Sequence, residues 1–404
     1  MKPSPADRPI RALHIITSIG RGSFGLGQVA VNLAKAQNDL TAYAQIWCLD
    51  TKEQIDWAIR LPGLERSKVR NFPCLGPARL GFSPLMLSEA RSRGEDFDLV
   101  HVHGIWTACS QVSNILHRHY NLPIIIAPHG SLQKWALKRS AWKKQLALLF
   151  YERENLHQAA CLHATAETEV ADFRDYGLSN PIAVIPNGVS DTWLESQGDG
   201  YRFRESYNIP SDARLLLFIS RITPKKGLPL LLEAISRVRS SFANWLLVIA
   251  GTDEFGHLQK VQSLVKELNL QNCVKFIGPL YDQDKRDAFA AADVFILPSY
   301  SEGFPMIVLE CLATGVPVIT TRATPWESLL TWKCGWWVDV SVDGIAQALQ
   351  SMMNLSTDQL RVMGQAGSEL VKSQYLWGAQ GEKTLDLYRW LLGQQTRPDF
   401  VIMD

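Results

Sequence analysis

Short runs of consecutive apolar residues alternate with stretches of helical periodicity along nearly the whole chain. The strand-like runs are 12–16, 42–48, 99–103, 124–127, 161–164 and 182–185, followed by a second series at 215–219, 245–250, 274–277, 294–297 and 318–321. They are continuous rather than alternating, which marks strands buried on both faces and therefore parallel sheets. Between them, segments such as 28–37, 228–238 and 258–268 repeat apolar positions every three to four residues. Strand and helix taking turns predicts right-handed βαβ units and an α/β fold. The first series ends at Pro186-Asn187-Gly188, a turn signature, a polar stretch covers 196–201, and a new set begins at Arg214. The junction between two domains is expected in 187–212. Two doubly wound, Rossmann-like parallel-sheet domains would leave a central cleft at the carboxyl ends of their strands, where such folds bind ligands.

Composition narrows the function classes. At 404 residues the chain exceeds one typical domain. Basic and acidic residues number 41 and 40, so no global charge points to nucleic acid. The seven cysteines at 48, 74, 109, 161, 273, 311 and 334 form no C-x-x-C pair and read as reduced, mostly buried thiols of a cytosolic protein. The first eleven residues do not form a secretory signal, and no stretch approaches the roughly 18 consecutive apolar residues of a membrane span. The expectation is a soluble, cytoplasmic chain, peripheral to a membrane at most.

The most informative local pattern is Glu302 and Glu310 in Ser-Glu-Gly-Phe-Pro-Met-Ile-Val-Leu-Glu. Glu302 follows an apolar run and sits in a small-residue turn, while Glu310 falls in a helix-like segment. If most of the interval is helical, their backbones lie about 12 Å apart, a span that can grip both ends of an extended ligand. The loop with Gly303 opens a helix, whose N-terminal N–H groups favour phosphate. Spacing alone is also compatible with two solvated carboxylates. Arg221, after the run 215–219, stands five residues before Lys226-Gly227, and two cations in one strand-to-helix loop suit a diphosphate.

Other motifs carry two readings each. The first strand runs into Gly20-Arg21-Gly22-Ser23-Phe24-Gly25-Leu26-Gly27, with Asp50 after the next strand. This matches a bare G-x-G-x-x-G, and a structural strand-to-helix turn explains it equally. His129 ends the strand 124–127 beside Gly130, and His101 and His103 flank Val102; strand-end histidines serve structure or bind a sugar hydroxyl. Asp96-Phe97-Asp98 and Asp282-Gln283-Asp284 match a D-x-D string, but neither reads as a metal site, and no His/Cys cluster has zinc spacing. The segment 130–151 holds Lys134, Lys138, Arg139, Lys143 and Lys144 with Trp135 and Trp142. A basic helix of this kind suits either an anionic membrane surface or an ordinary surface helix with a buried stripe.

With these motifs in hand, the chain resembles the retaining GT-B glycosyltransferases of family 4. The 302–310 stretch continuing as Ala-Thr-Gly-Val-Pro-Val-Ile is similar to that family's E-x7-E signature. Gly25-Leu26-Gly27, His103-Gly104, Pro128-His129-Gly130, Ile185-Pro186-Asn187-Gly188 and Ser220-Arg221 with Lys226-Gly227 occur in the family's order. The resemblance implies an acceptor domain over 1–190, with a terminal helix at about 380–400 packing back on it, and a nucleotide-sugar domain over 191–379. It implies that Arg221 and Lys226 bind the donor diphosphate, Glu310 the ribose and Glu302 the donor sugar. Gly303, Phe304, Pro305, Met306 and Ile307 would hold sugar and phosphate through the backbone, and Phe276, Ile277 and Gly278 would border the base. Gly25 and Gly27 would let the acceptor domain meet the phosphates, and His129 would touch the hexose. No cofactor or metal is expected beyond a UDP-sugar co-substrate, with glucose the leading donor sugar and GDP-mannose the next. The acceptor would be a glycan or a polyprenyl-diphosphate-linked one in exopolysaccharide or envelope synthesis. Phe24, Pro305 and Met306 depart from the family's usual glycines. Thr324-Pro325-Trp326-Glu327 and Cys334-Gly335-Trp336-Trp337 resemble a surface-polysaccharide subgroup. A nucleotide-sugar epimerase and a non-catalytic sugar-nucleotide sensor are the rival readings.

Overall fold

A computed structural model describes residues 8–20, 23, 25–40, 42–60, 62–195 and 198–403. Arg21, Gly22 and Phe24 of the glycine loop lie outside the described residues. The chain divides into two compact units, 1–188 together with 377–404, and 189–376.

The first unit is built on eight strands: β1 Ile10–Ile16, β2 Ala42–Cys48, β3 Val69–Asn71, β4 Leu99–His103, β5 Ile124–Ala127, β6 Cys161–Ala164, β7 Ile182–Val184 and, numbered in chain order, β14 Val401–Ile402. Their spatial order is β14-β7-β6-β5-β4-β1-β2-β3. All pairs are parallel except β14, which runs antiparallel to β7. The middle strand β4 is buried at every position, as expected for a sheet covered on both faces. Trp47 is fully buried and packs on Phe72 and Phe97, with ring centroids 5.1 and 5.7 Å away. The helix Trp377–Leu391 packs on the helix Gly25–Asp39. Its Gly381 allows that approach, since a Cβ there would stand 3.0 Å from the Ala36 Cβ.

The second unit contains β8 Arg214–Ile219, β9 Trp245–Ala250, β10 Val274–Gly278, β11 Val294–Leu297, β12 Val318–Thr321 and β13 Gly335–Val338. They form one parallel sheet in the order β10-β9-β8-β11-β12-β13. The order reverses direction at β8, so the loops leaving β8 and β11 sit side by side, the usual ligand position in such a sheet.

Two expectations need correction. The segment 130–151 is not one helix. It forms Lys134–Lys138, then Ala141–Ala147, then a π-helical turn at Leu148–Glu152. The break is at Ser140, whose φ of 52° is left-handed and cannot continue a helix. The interval from Glu302 to Glu310 is helical only from Met306 onward, so the separation estimated for a mostly helical interval does not hold.

Candidate active site

In the second unit, the loops at the carboxyl end of the sheet are fastened to one another by backbone contacts. After β8 the chain turns through a 3-10 segment, Pro224–Lys226, and leaves it at Gly227 with φ +70°. A Cβ on Gly227 would lie 1.9 Å from the Pro298 carbonyl oxygen, so only glycine fits there. Tyr300 donates its N–H to the Lys225 carbonyl at 2.9 Å. On the other side, a Cβ on Gly251 would come within 1.8 Å of the Ser220 carbonyl oxygen. Ile222 donates to the Thr252 carbonyl, and Glu254 donates back to that of Ile222.

This framework collects charge. Lys226 Nζ stands 2.6 Å from Glu302 Oε1, and both side chains are about 10% exposed. Ser299 Oγ donates to the same carboxylate oxygen at 2.6 Å, and Lys225 Nζ lies 3.9 Å from the other. Burial pushes the Glu302 carboxyl up, but the two lysines and the serine outweigh it and hold its pKa below the usual value. Burial lowers the Lys225 pKa; Glu302 opposes the shift, and Lys226 and Arg221 add to it. Arg221 pairs with Glu254 at 2.8 Å. Arg221, Lys225 and Lys226 thus share this corner of the unit with the carboxylates of Glu302 and Glu254.

Glu310 lies on the helix Met306–Ala313 that follows this loop. Its carboxylate accepts from Lys285 Nζ at 2.7 Å. Lys285 and Arg286 lie over the Trp193 ring, 4.9 and 4.2 Å from its centroid. The helix N-cap is Pro305, which supplies no side-chain cap. Phe304 turns inward instead, its ring 5.1 Å from fully buried Trp326 and 6.0 Å from Tyr375. The Trp337 indole N–H donates to the Thr324 carbonyl at 2.9 Å. Trp326 of the first subgroup-like motif therefore packs against Phe304, and Trp337 of the second holds the 324 loop that carries Trp326. Phe276 and Ile277 pack half-buried at the sheet edge, and Gly278 is exposed with φ +78°.

In the first unit, Gly25 and Gly27 open the helix Gly25–Asp39. Gly25 is exposed, whereas Gly27 is a packing requirement: a Cβ there would lie 2.6 Å from the Ile19 Cα. Asp50 serves the protein, not a ligand. It accepts from Ser18 Oγ at 2.6 Å and from the Ile19 N–H at 2.5 Å, bracing the loop after β1. Asp98 likewise receives Arg8 and Arg11, and Asp282 and Asp284 lie in the first turn of a helix. His129 adopts φ +50° and is half-buried, with Nε2 3.4 Å from His103 Nδ1. The next backbone N–H, of Gly130, donates to buried Glu169 at 2.5 Å. Among the described residues, one group brings three potential metal ligands together: His14, His101 and His103, with nitrogens within 4.8 Å of one another.

The structure brings Arg221, Lys226, Glu302 and residues 303–310 of the sequence-derived set together at the ends of β8 and β11. It adds Lys225, Ser299, Glu254, Lys285 and Trp193, which the sequence reading did not single out. Lys225, Ser299 and Glu254 carried a signal, since each lies in a loop that leaves a strand at its carboxyl end. Lys285 reaches Glu310, and Trp193 reaches Lys285, from elements distant in sequence, and neither had one.

Comparison with known proteins agrees with this architecture. A family model described as glycosyl transferase 4-like domain matches residues 24–188, and one for glycosyl transferases group 1 matches 201–370. The D-inositol 3-phosphate glycosyltransferase 2 of Catenulispora acidiphila is 29% identical over 321 residues, 74% of each chain. The D-inositol 3-phosphate glycosyltransferase of Kribbella flavida is 26% identical over 96% of this chain and 97% of its own. Among solved structures, Anabaena Alr3699/HepE in complex with UDP and glucose superposes with a TM-score of 0.75 at 17% identity, covering 94% of this chain and 99% of that one. Sucrose-phosphate synthase from Thermosynechococcus elongatus gives 0.74 at 20% identity over 96% and 100%. The chain is a glycosyltransferase of the GT-B fold and belongs to the family that joins a 4-like domain to a group 1 domain.

Proposed function

We propose that the enzyme transfers a hexose, with retention of configuration, from a UDP-sugar to a glycan or lipid-linked acceptor in exopolysaccharide or envelope synthesis, with glucose the leading donor sugar. The observation that carries this reading is the Lys226–Glu302 pair, held with Ser299 and Lys225 beside Arg221 and at the foot of the helix bearing Glu310. In this reading the diphosphate takes its place among Arg221, Lys225 and Lys226 and against the N–H groups that open the helix Met306–Ala313. Negative charge grows on the departing diphosphate in the transition state, and these fixed positive groups stabilise it there more than in the ground state. No resident metal is needed for that neutralisation. Glu310 accepts from the ribose hydroxyls, and Glu302, oriented by Lys226 and Ser299, accepts from the donor sugar. The acceptor oxygen attacks from the face the diphosphate leaves, and a phosphate oxygen takes its proton, so no protein carboxylate acts as a covalent nucleophile.

The test is Arg221→Ala. Transfer should fall by about a thousandfold, the scale of removing a charge-stabilising group, with the melting point kept near that of the wild type. Activity within a few-fold of wild type would reject the assignment. A melting-point panel of UDP-, GDP- and ADP-sugars identifies the donor, because a ligand bound at 100 times its Kd stabilises by about 2.7 kcal/mol. The acceptor panel includes an inositol phosphate, the acceptor class in the names of the relatives. NMR of a UDP-sugar with enzyme and no acceptor separates the rival epimerase, which would change the sugar.

The first unit carries a second feature of the same reading, peripheral contact with an anionic membrane. Trp142, Leu149 and Phe150 are 65, 76 and 70% exposed, next to exposed Lys138 and Lys143. A cavity of about 770 Å³ lined by Leu148, Tyr151, Arg153 and Tyr176 opens beside them. Apolar tips ringed by bases suit an anionic lipid surface. Among the described residues no helix is long and apolar enough to cross a membrane. Flotation with anionic liposomes should be lost in Lys138→Glu/Lys143→Glu, and unchanged flotation would exclude this contact.

A further inference from the structure

Five histidines stand in one row across the first unit. His14 is on β1, His101 and His103 on β4, His163 on β6, and His129 two residues beyond β5, so four neighbouring strands contribute. His14 and His101 are register partners, and the period of two puts His103 on the same face. All but half-buried His129 are almost wholly inaccessible. Their rings stack, with centroids 4.5 Å apart for His101 and His103 and 5.2 Å for His14 and His103.

Hydrogen bonds join the row into a single chain whose direction can be worked out. His163 Nε2 lies 2.7 Å from the Ile185 carbonyl oxygen, which can only accept, so Nε2 carries the proton. Burial holds His163 neutral, with its pKa lowered to about 4, so its Nδ1 is a lone pair. That lone pair receives His101 Nε2–H at 3.2 Å, and His101 Nδ1 in turn receives the Tyr388 hydroxyl at 2.8 Å. The Tyr388 oxygen accepts from Gln37 Nε2 at 3.1 Å. Gln37 Oε1 accepts from His14 Nε2 at 2.8 Å, and His14 Nδ1 accepts from His103 Nε2 at 2.9 Å. His103 Nδ1 then accepts from His129 Nε2 at 3.4 Å. Turning the chain round would set a lone pair of His163 against the Ile185 carbonyl, so one direction alone satisfies every member. All five rings then carry their proton on Nε2.

We propose that Tyr388 and Gln37 are positioning residues that, through His14 and His103, lock His129 as the Nε2–H tautomer and so present its Nδ1 as a hydrogen-bond acceptor for a substrate hydroxyl. The acceptor role toward a hydroxyl rests on the proposed hexosyl transfer; the tautomer itself does not. A carbonyl at Ile185 and a tyrosine on the helix Trp377–Leu391 thereby decide the polarity of a ring several residues away in a relay. The same arrangement argues against a metal at His14, His101 and His103. The 2.9 Å contact between His14 Nδ1 and His103 Nε2 holds a proton, and a metal would need both nitrogens as lone pairs.

The experiment is 15N NMR of the side chains in the full chain labelled at histidine. Five Nε2–H tautomers are expected at neutral pH, unchanged on adding zinc chloride. A His129 ring protonated on Nδ1, or exchanging between tautomers, overturns the proposal in the wild type alone. Tyr388→Phe removes the link between Gln37 and His101. His163 should keep its Nε2 proton, because Ile185 still holds it, while His14, His103 and His129 should become tautomer mixtures. Gln37→Met cuts the same relay independently. In both variants kcat/KM for transfer from UDP-glucose should fall about fivefold, the scale of one lost neutral hydrogen bond, chiefly through KM. A single unchanged tautomer at His129 in both variants rejects the relay, whatever the activity. Unaltered transfer with a changed tautomer rejects only the acceptor role of Nδ1.

Discussion

Lowering the pH from 7 to 5 should loosen the first unit more than the second, where His257 is the histidine whose pKa burial lowers. Burial lowers the pKa of His14 and of His163 from 6.5 to about 4, and of His129 to about 3. The unfolded chain takes up a proton on each of these rings as the pH falls through 6.5, and the folded chain does not until about 4. Their contribution is therefore complete above pH 6.5 and is lost progressively down to about pH 4. At 1.36 kcal/mol per pH unit, each ring loses about 2 kcal/mol by pH 5. Buried Glu152 and Glu169 act in the opposite sense, since burial raises their pKa values and the folded state takes up their protons first. His14 and His163 alone total about 4 kcal/mol; His101 and His103 shift in the same direction, and the two glutamates reduce the total. Hydrogen exchange of β4, corrected for the intrinsic rate at each pH, reads the first unit, and β8 supplies an internal reference. In the second unit the pKa values of Glu302 and Asp287 are lowered, so their contribution is lost only below the ordinary carboxylate range. Equal or greater protection of β4 at pH 5 than at pH 7 would refute the reasoning.

The remaining predictions concern the second unit. Lys226→Met leaves the buried Glu302 carboxylate without its nearest cation, so stability should drop by about 3 kcal/mol; Lys226→Met/Glu302→Gln should recover most of that in urea melts without recovering transfer. Glu310→Gln should raise the KM for UDP-glucose about tenfold and leave kcat within a few-fold, the pattern of a lost ground-state contact; an unaltered KM would remove Glu310 from the nucleotide site. Gly227→Ala must fit a side chain at φ +70° against the Pro298 carbonyl, and should cost about 2 kcal/mol or more in thermal unfolding. Trp326→Ala removes the support under Phe304 and should cost about 3–5 kcal/mol, with a fall in affinity for UDP measured by calorimetry.

The sheets were readable because a strand buried on both faces must be apolar at consecutive positions, as in 124–127 and 294–297. The strands that escaped notice, β3, β13 and β14, are short and at or next to a sheet edge, where one neighbour and partial exposure relax that demand. Within the site, loop residues at strand ends were legible as types: Arg221, Lys226 and Glu302 each announce charge where the fold binds ligands. Their pairing was not, because the 2.6 Å contact between Lys226 and Glu302 depends on Gly227 meeting Pro298, two positions 71 residues apart. The histidine row illustrates the same limit. His101, His103 and His129 looked like isolated strand-end histidines, His14 and His163 drew no notice, and only the register of β1, β4, β5 and β6 lines them up. The break at Ser140 was hidden because the apolar residues roughly follow helical spacing across it, and spacing does not record a single left-handed residue.

The helix Trp377–Leu391 and β14 belong to the first unit although the whole second unit precedes them in the chain. As the ribosome releases the polypeptide, residues 189–376 can therefore close their own sheet while the first unit still lacks its covering helix and an edge strand. Tyr388 arrives after every other member of the histidine relay, and until it does, Gln37 and His101 have a neighbour missing in the buried interior. The unit that starts first is completed second. Its exposed intermediate, not that of the later-starting unit, is the species a chaperone would hold during synthesis, and shortening the chain before 377 should trap it there.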